Sequence, residues 1–155
     1  MPEPRPVLSA RDLEAYLHER IPLTRAMAVE VRAASSAGVE LHAPLAPNIN
    51  HRDTVFGGSA SAVAIVAAWS ALHVSMRAAG FDVRLVIRRN TMSYERPITA
   101  GFTAMAAPPT GDAWHKLVAT VQRGRPARVR VGARLYCEGQ LVGELDGEFA
   151  VLPKG

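Results

Sequence analysis

Within nine residues, Asn50-His51-Arg52-Asp53-Thr54-Val55-Phe56-Gly57-Gly58, the chain gathers an amide, an imidazole, a carboxylate and paired glycines. The uncharged segment 54–76 that follows reads as a long buried helix, so the polar turn and the glycines stand at a helix start. Such a start carries backbone N–H groups without intrahelical acceptors and the positive end of the helix dipole. Glycines there let a carbonyl or phosphate approach those groups closely, although tight packing of helix on sheet would select them too. The chemistry expected is stabilisation of charge developing on an oxygen, worth a few kcal/mol per donor in acyl transfer. Gly58 N–H is the candidate donor, Gly57 permits the approach, and Ser59 is placed to cap the helix or touch the substrate.

The groups that could move a proton lie just upstream. Asp53 is the nearest carboxylate, suited to orient or deprotonate water, and equally suited to a turn or a helix cap. His51 is the nearest imidazole, a group that transfers protons near neutral pH, and a hydrogen-bonded loop histidine is the plainer reading. Asn50 can close the 48–50 loop as an Asx turn. His73 follows Gly58 by fifteen residues, which puts it roughly 22 Å along the helix. A local hydrogen bond is the expected use of that ring.

The elements that must position these groups follow from periodicity. Ala10 to Arg20 has helical spacing in Leu13, Tyr16 and Leu17, and Pro22 marks its end. Met27 to Ala33 and Gly38 to Ala43 are β-like runs joined by Ser35-Ser36-Ala37-Gly38, a hairpin. After Gly80 the runs 83–95, 101–107, 114–122, 127–137 and 141–152 read as strands, giving one helix followed by an antiparallel meander. His115 and Glu95 fall in those runs. Along 128–135, arginines alternate with Val129, Val131, Ala133 and Leu135, so one face of the sheet is wet.

Composition narrows the classes. At 155 residues, 48% hydrophobic and 21% charged, the chain suits one domain over 1–155, with residues 1–9 a flexible tail. The net charge of +4 rests on eighteen basic residues, sixteen of them arginine and spread along the chain. The stretch 123–134 lacks an aromatic residue for base stacking, so nucleic acid is not the expected partner. The one cysteine, Cys137, permits no internal disulfide and no cysteine-based zinc site, which fits a reducing cytoplasm, and in a strand-like run it reads as a structural thiol rather than a nucleophile. Neither a metal nor a redox cofactor is implied. The N-terminus has no apolar core of signal-peptide length. Segment 54–76 reaches the length of a membrane span, but it is built from Gly, Ala, Ser and Val and contains His73, so a buried helix rather than membrane insertion is expected.

The order of lead-in helix, hairpin, long helix and strands is that of a hotdog fold, an α+β architecture in which an antiparallel sheet wraps one central helix. Asn50-x-x-Asp53-Thr54-x-Phe56-Gly57-Gly58 resembles the Asn-x-x-Gly-Thr-x-His-Gly-Gly signature of PaaI-type acyl-CoA thioesterases. Three blocks, APLAPNINHRDTVFGGSASAVAIVAAW, IRRNTMSYERPITAGF and W..LVATVQRGRPARVRV, resemble the YiiD C-terminal thioesterase family over nearly all of residues 20–152. The resemblance implies hydrolysis of an acyl-CoA or acyl-carrier-protein thioester by a homodimer or dimer of dimers, each helix start meeting the neighbouring subunit's loop. It assigns Asn50 to orienting the water or the thioester, and Phe56, Gly57 and Ser59 to substrate contact. The CoA arm falls to Arg89 and Asn90, on a strand expected beside the helix, with Arg89 rather than Arg88 looking inward.

One departure from the PaaI pattern bears on mechanism. The helix carboxylate expected seven residues beyond the second glycine is Ile65, and 54–76 holds no Asp or Glu. The base must therefore come from the loop, a facing strand or a second subunit. Binding of an acyl thioester without turnover is the alternative that this loss allows, and it also weakens a dehydratase reading, which needs a helix acid.

Overall fold

Ser9 accepts a hydrogen bond from Asp12 N–H and starts helix α1, Ala10–Arg20, which buries Leu13 and Leu17 as its spacing requires. Pro22 does not simply end that helix. It occupies the first turn of a second short helix, α2, Pro22–Ala26, where a missing N–H costs nothing. The computed structural model describes residues 2–154. Ala28 then takes a positive φ of 55°, which delays the first strand beyond Met27.

Strands β1, Glu30–Ser35, and β2, Gly38–Ala43, form the expected antiparallel hairpin. A loop leads from it into α3, Gly57–Ala78, a 22-residue helix whose buried side includes Ala60, Ala64, Ala67, Ala68 and Ala71. Those small side chains let the sheet close around the helix, and although the helix is long and apolar enough to cross a membrane, most of it is buried under strands. Strands β3, Val83–Tyr94, and β4, Phe102–Ala106, follow, then helix α4, Gly111–Gln122, and strands β5, Ala127–Cys137, and β6, Gln140–Pro153.

All pairings are antiparallel, and the sheet order is β1-β2-β4-β5-β6-β3. This is the hotdog arrangement, an α+β fold, but not the plain meander expected from the chain order. β3 crosses to the far edge and pairs only with β6. The other edge, β1, is partly covered by α1, where Glu14 accepts the Val31 N–H at 2.8 Å.

Residues 114–122 are a helix, not a strand, and His115 is exposed on it. Trp114, Leu117 and Val121 recur at spacings of three and four, and Leu117 and Val121 are buried on the resulting face, so the apolar period outweighs the β-branched residues. The alternation along β5 is as read: Val129, Val131, Ala133 and Leu135 are buried, and Arg128, Arg130 and Arg134 are exposed. Cys137 is a buried free thiol at the end of that strand.

His73 does not use its ring in a hydrogen bond as expected. It stacks 4.9 Å from Tyr16 and 4.6 Å from Trp69, and its Nε2 is buried without a partner among the described residues. Burial, reinforced by Arg77 and Lys154, pushes its pKa down to about 4.

Candidate functional site

The loop before α3 is held by backbone and amide groups. Ile49 and Val55 form an isolated bridge, and Asn50 N–H donates to the Thr54 carbonyl at 2.8 Å. The Asn50 side chain is consumed by its own loop: Oδ1 accepts from Arg52 N–H at 2.8 Å and Thr54 N–H at 3.2 Å, while Nδ2 donates to Thr54 Oγ1 at 3.0 Å. With three such bonds it is an Asx turn rather than an amide free to hold water. Asp53 sits at φ 62°, the left-handed region that glycine fills in the related signature and that Asp tolerates. His51, Arg52 and Asp53 are exposed at the loop tip.

Asn48 was not singled out from the sequence, yet it anchors the loop. Its Nδ2 donates to the carbonyls of Met27 and Pro44 at 2.9 and 2.8 Å, and its own carbonyl accepts Phe56 N–H at 2.8 Å. At 2% exposure, a polar side chain is retained by such bonds and not by solvent.

The helix start is open. The N-cap residue is Phe56, with no side-chain cap, so Ser59 does not perform that role. The Phe56 carbonyl accepts Ser59 and Ala60 N–H at 2.9 and 3.1 Å, whereas the N–H groups of Gly57 and Gly58 have no acceptor among the described residues. Two aromatic rings flank this pair. A Cβ built on Gly58 would lie 2.3 Å from the Phe56 ring, so that ring rests directly on the glycine, and one on Gly57 would lie 3.5 Å from Tyr94. Both rings are more than half exposed.

Tyr94, at the end of β3, was also missed, although it stands in a quoted block of the sequence. Its hydroxyl donates to the Gly57 carbonyl at 3.1 Å and ties the strand to the helix start. Val55 N–H donates to Ile98 O at 2.8 Å, fastening the chain beyond the strand to the loop. Between them lies a cavity of about 360 Å³ lined by Thr54, Val55 and Ala60 on one side and the segment 94–98 on the other. Glu95 lines it; Asn50, His51 and Asp53 do not.

Arg89 and Asn90 stand elsewhere. A bulge after Ile87 puts Arg89 opposite Glu148, whose neighbour Phe149 is buried, so Arg89 lies on the outer face of the sheet and not inward as expected. It shares a cavity of about 240 Å³ with Asn90, Thr91, Arg130, Asp146 and Glu148. Arg88 in the bulge pairs with Glu148 at 3.1 Å, Arg134 with Glu144 at 3.2 Å, and Arg130 with Asp146. The outer arginine face is thus largely neutralised across strands. Among the described residues no group of three or more His, Cys, Asp or Glu is placed to hold a metal ion.

The fold and the family are shown by comparison with known proteins. The chain is similar over 93% of its length, with 26% identity and a TM-score of 0.84, to the "putative thioesterase" of Shewanella oneidensis, of which it covers 97%. A Chlorobaculum tepidum protein of unknown function matches 96% of the chain at 22% identity, with 99% of its own length covered and a TM-score of 0.87. A thioesterase of Haemophilus influenzae matches 97% at 13% identity, with 94% of its length covered and a TM-score of 0.73. At those identities the last two carry the fold alone. Residues 10–153 match the YiiD_C family, described as "Putative thioesterase (yiiD_Cterm)". With that match spanning nearly the whole chain, on a hotdog fold with an open helix start, the protein belongs to the YiiD_C family.

Proposed function

We propose that the protein hydrolyses acyl thioesters carried by coenzyme A or an acyl carrier protein, with the thioester carbonyl seated at the start of α3. The observation that carries this reading is the pair of unengaged N–H groups of Gly57 and Gly58 beside a cavity. Attack by water moves the carbonyl π electrons onto oxygen, and donors already fixed in place stabilise that charge without reorganising. The helix dipole acts in the same direction. Hydrolysis of this kind consumes only water and the thioester.

Two copies of the chain pair along β3 in this reading, as a homodimer or a dimer of dimers in the cytoplasm, with the acyl chain between them. Support comes from the unpaired outer edge of β3 and from exposed Val86, Tyr94 and Phe56. Arg89, which has no ion-pair partner among the described residues, and Asn90 take phosphates of the coenzyme arm. Binding without turnover is the second reading, favoured by Ile65 at the usual acid position and by the self-satisfied Asn50 amide.

Release of free thiol from acyl-CoAs of short, medium and long chain tests the proposal. Turnover on any member supports hydrolysis. Binding across the panel with no thiol released contradicts it and leaves the second reading.

A further inference from the structure

We infer that Glu95 is the general base, supplying from the end of β3 the carboxylate that α3 lacks. The inference rests on the thioesterase reading above and adds to it the group that activates water.

Among the described residues, the cavity at the helix start is lined by a single carboxylate, that of Glu95. The other acids are committed or remote from it. Asp53 projects from the exposed loop tip and does not line the cavity, Glu14 is bound to Val31 N–H, and Glu144, Asp146 and Glu148 pair with arginines on the outer face. Glu95 itself makes no hydrogen bond or ion pair through its side chain among the described residues, although arginine is the commonest charged residue of this chain and Arg96 is its neighbour. Arg96, which lines the same cavity, donates instead from Nη1 to Gln140 Oε1 at 2.8 Å. An exposed carboxylate with no partner among the described residues, in a cavity that flanks the helix start where the Gly57 and Gly58 N–H groups are unengaged, is free to bind water.

The backbone carrying it is fixed. Glu95 and Arg96 N–H both donate to the Val142 carbonyl, at 2.9 and 3.3 Å, Tyr94 is tied to Gly57, and Ile98 is tied to Val55. A base must be held within reach of its proton; the two bonds to Val142 fasten the segment to β6, and those of Tyr94 and Ile98 hold it against the helix start and its loop from both ends. The sequence of events balances without a further reactant. The Glu95 carboxylate takes a proton from water as the water oxygen bonds the carbonyl carbon, and the π pair moves to oxygen facing Gly57 and Gly58. Collapse expels the thiolate, which takes the proton back from Glu95, leaving a free acid and a thiol.

The test compares kcat and KM for thiol release by the native protein, Glu95→Gln, Glu95→Ala and Asp53→Asn, with thermal unfolding midpoints recorded for each. Glu95→Gln is expected to lower kcat by about a hundredfold with little change in KM, as loss of a general base does. Added formate is expected to restore part of the activity of Glu95→Ala, an effect a merely structural residue would not show. Since Glu95 has no side-chain partner, the variants should unfold at the native temperature. Native-like kcat in Glu95→Gln, or a loss confined to Asp53→Asn, overturns the inference while leaving thioester hydrolysis standing. No release by the native protein overturns both.

Discussion

The Tyr94 hydroxyl donates a 3.1 Å hydrogen bond to the Gly57 carbonyl, and the peptide unit that accepts it is the one carrying the Gly58 N–H. A hydrogen bond at one end of a peptide polarises the other, so Tyr94 fastens β3 to α3 and strengthens the Gly58 N–H, the donor proposed to meet the thioester oxygen. Tyr94→Phe keeps the ring against Gly57 and removes only the hydroxyl. The expected result is a fall in kcat of about two- to fivefold, the effect of roughly 0.5–1 kcal/mol in the transition state. Steady-state thiol release measures it, and a change in KM alone would assign Tyr94 to substrate binding.

Gly58→Ala tests the close approach at the same peptide. The added methyl meets the Phe56 ring at 2.3 Å, a contact that the exposed ring relieves by rotating. Stability should change by no more than about 1 kcal/mol, because alanine also favours the helix. Activity should fall at least about tenfold, since the methyl and the displaced ring crowd the donors and a lost oxyanion contact costs more than this. Urea unfolding and thiol release, measured on one preparation, separate the two effects.

The Asn50 amide is bonded within its own loop, and a structural role there has its own signature. Asn50→Ala removes bonds to Arg52 N–H, Thr54 N–H and Thr54 Oγ1 and should destabilise by about 2 kcal/mol, at around 1 kcal/mol or less for each partly exposed bond. Asn50→Asp retains the two backbone contacts and should recover most of that loss. Equal activity deficits in two equally stable variants would return the residue to a direct part in catalysis.

Partly buried His73 gives the fold a defined weakness to acid. Its pKa is lowered from 6.5 to about 4, first by burial and then by Arg77 and Lys154, so between those values the unfolded chain binds more protons than the folded one. Stability contributed by neutral His73 is present above pH 6.5, is lost as pH falls toward 4, and levels off below. Because the ring is not wholly buried, the loss is expected to be about 1–2 kcal/mol. His73→Phe preserves the stack with Tyr16 and Trp69 and removes the proton. Urea unfolding at pH 7 and pH 4.5, followed by tryptophan fluorescence, should show a smaller difference in that variant than in the native protein.

Much of this architecture is written in local pattern. The Leu13, Tyr16 and Leu17 spacing gives α1 its observed bounds, and the alternating arginines of β5 define its wet face. The glycines at 57 and 58 lie at the helix start as their surroundings imply. What local pattern does not carry is the placement of β3. Its neighbour β6 lies about fifty residues on in the chain, and the bulge after Ile87 that turns Arg89 outward has no marker in the sequence. For the same reason the Tyr94–Gly57 contact, and with it the position of Glu95, emerges only once the strands are paired. The helical face of Trp114, Leu117 and Val121 was legible, but β-branched Val118, Thr120 and Val121 masked it.

The central claim is that a thioester carbonyl binds at the N–H groups of Gly57 and Gly58. Titration of ¹⁵N-labelled protein with a non-hydrolysable acyl-CoA analogue, its thioester carbonyl kept as a ketone, tests this most directly. The Gly57 and Gly58 amide protons should shift downfield, with Glu95 and its neighbours perturbed beside them. Saturable binding that leaves both glycine amides unmoved while other residues shift would contradict the claim.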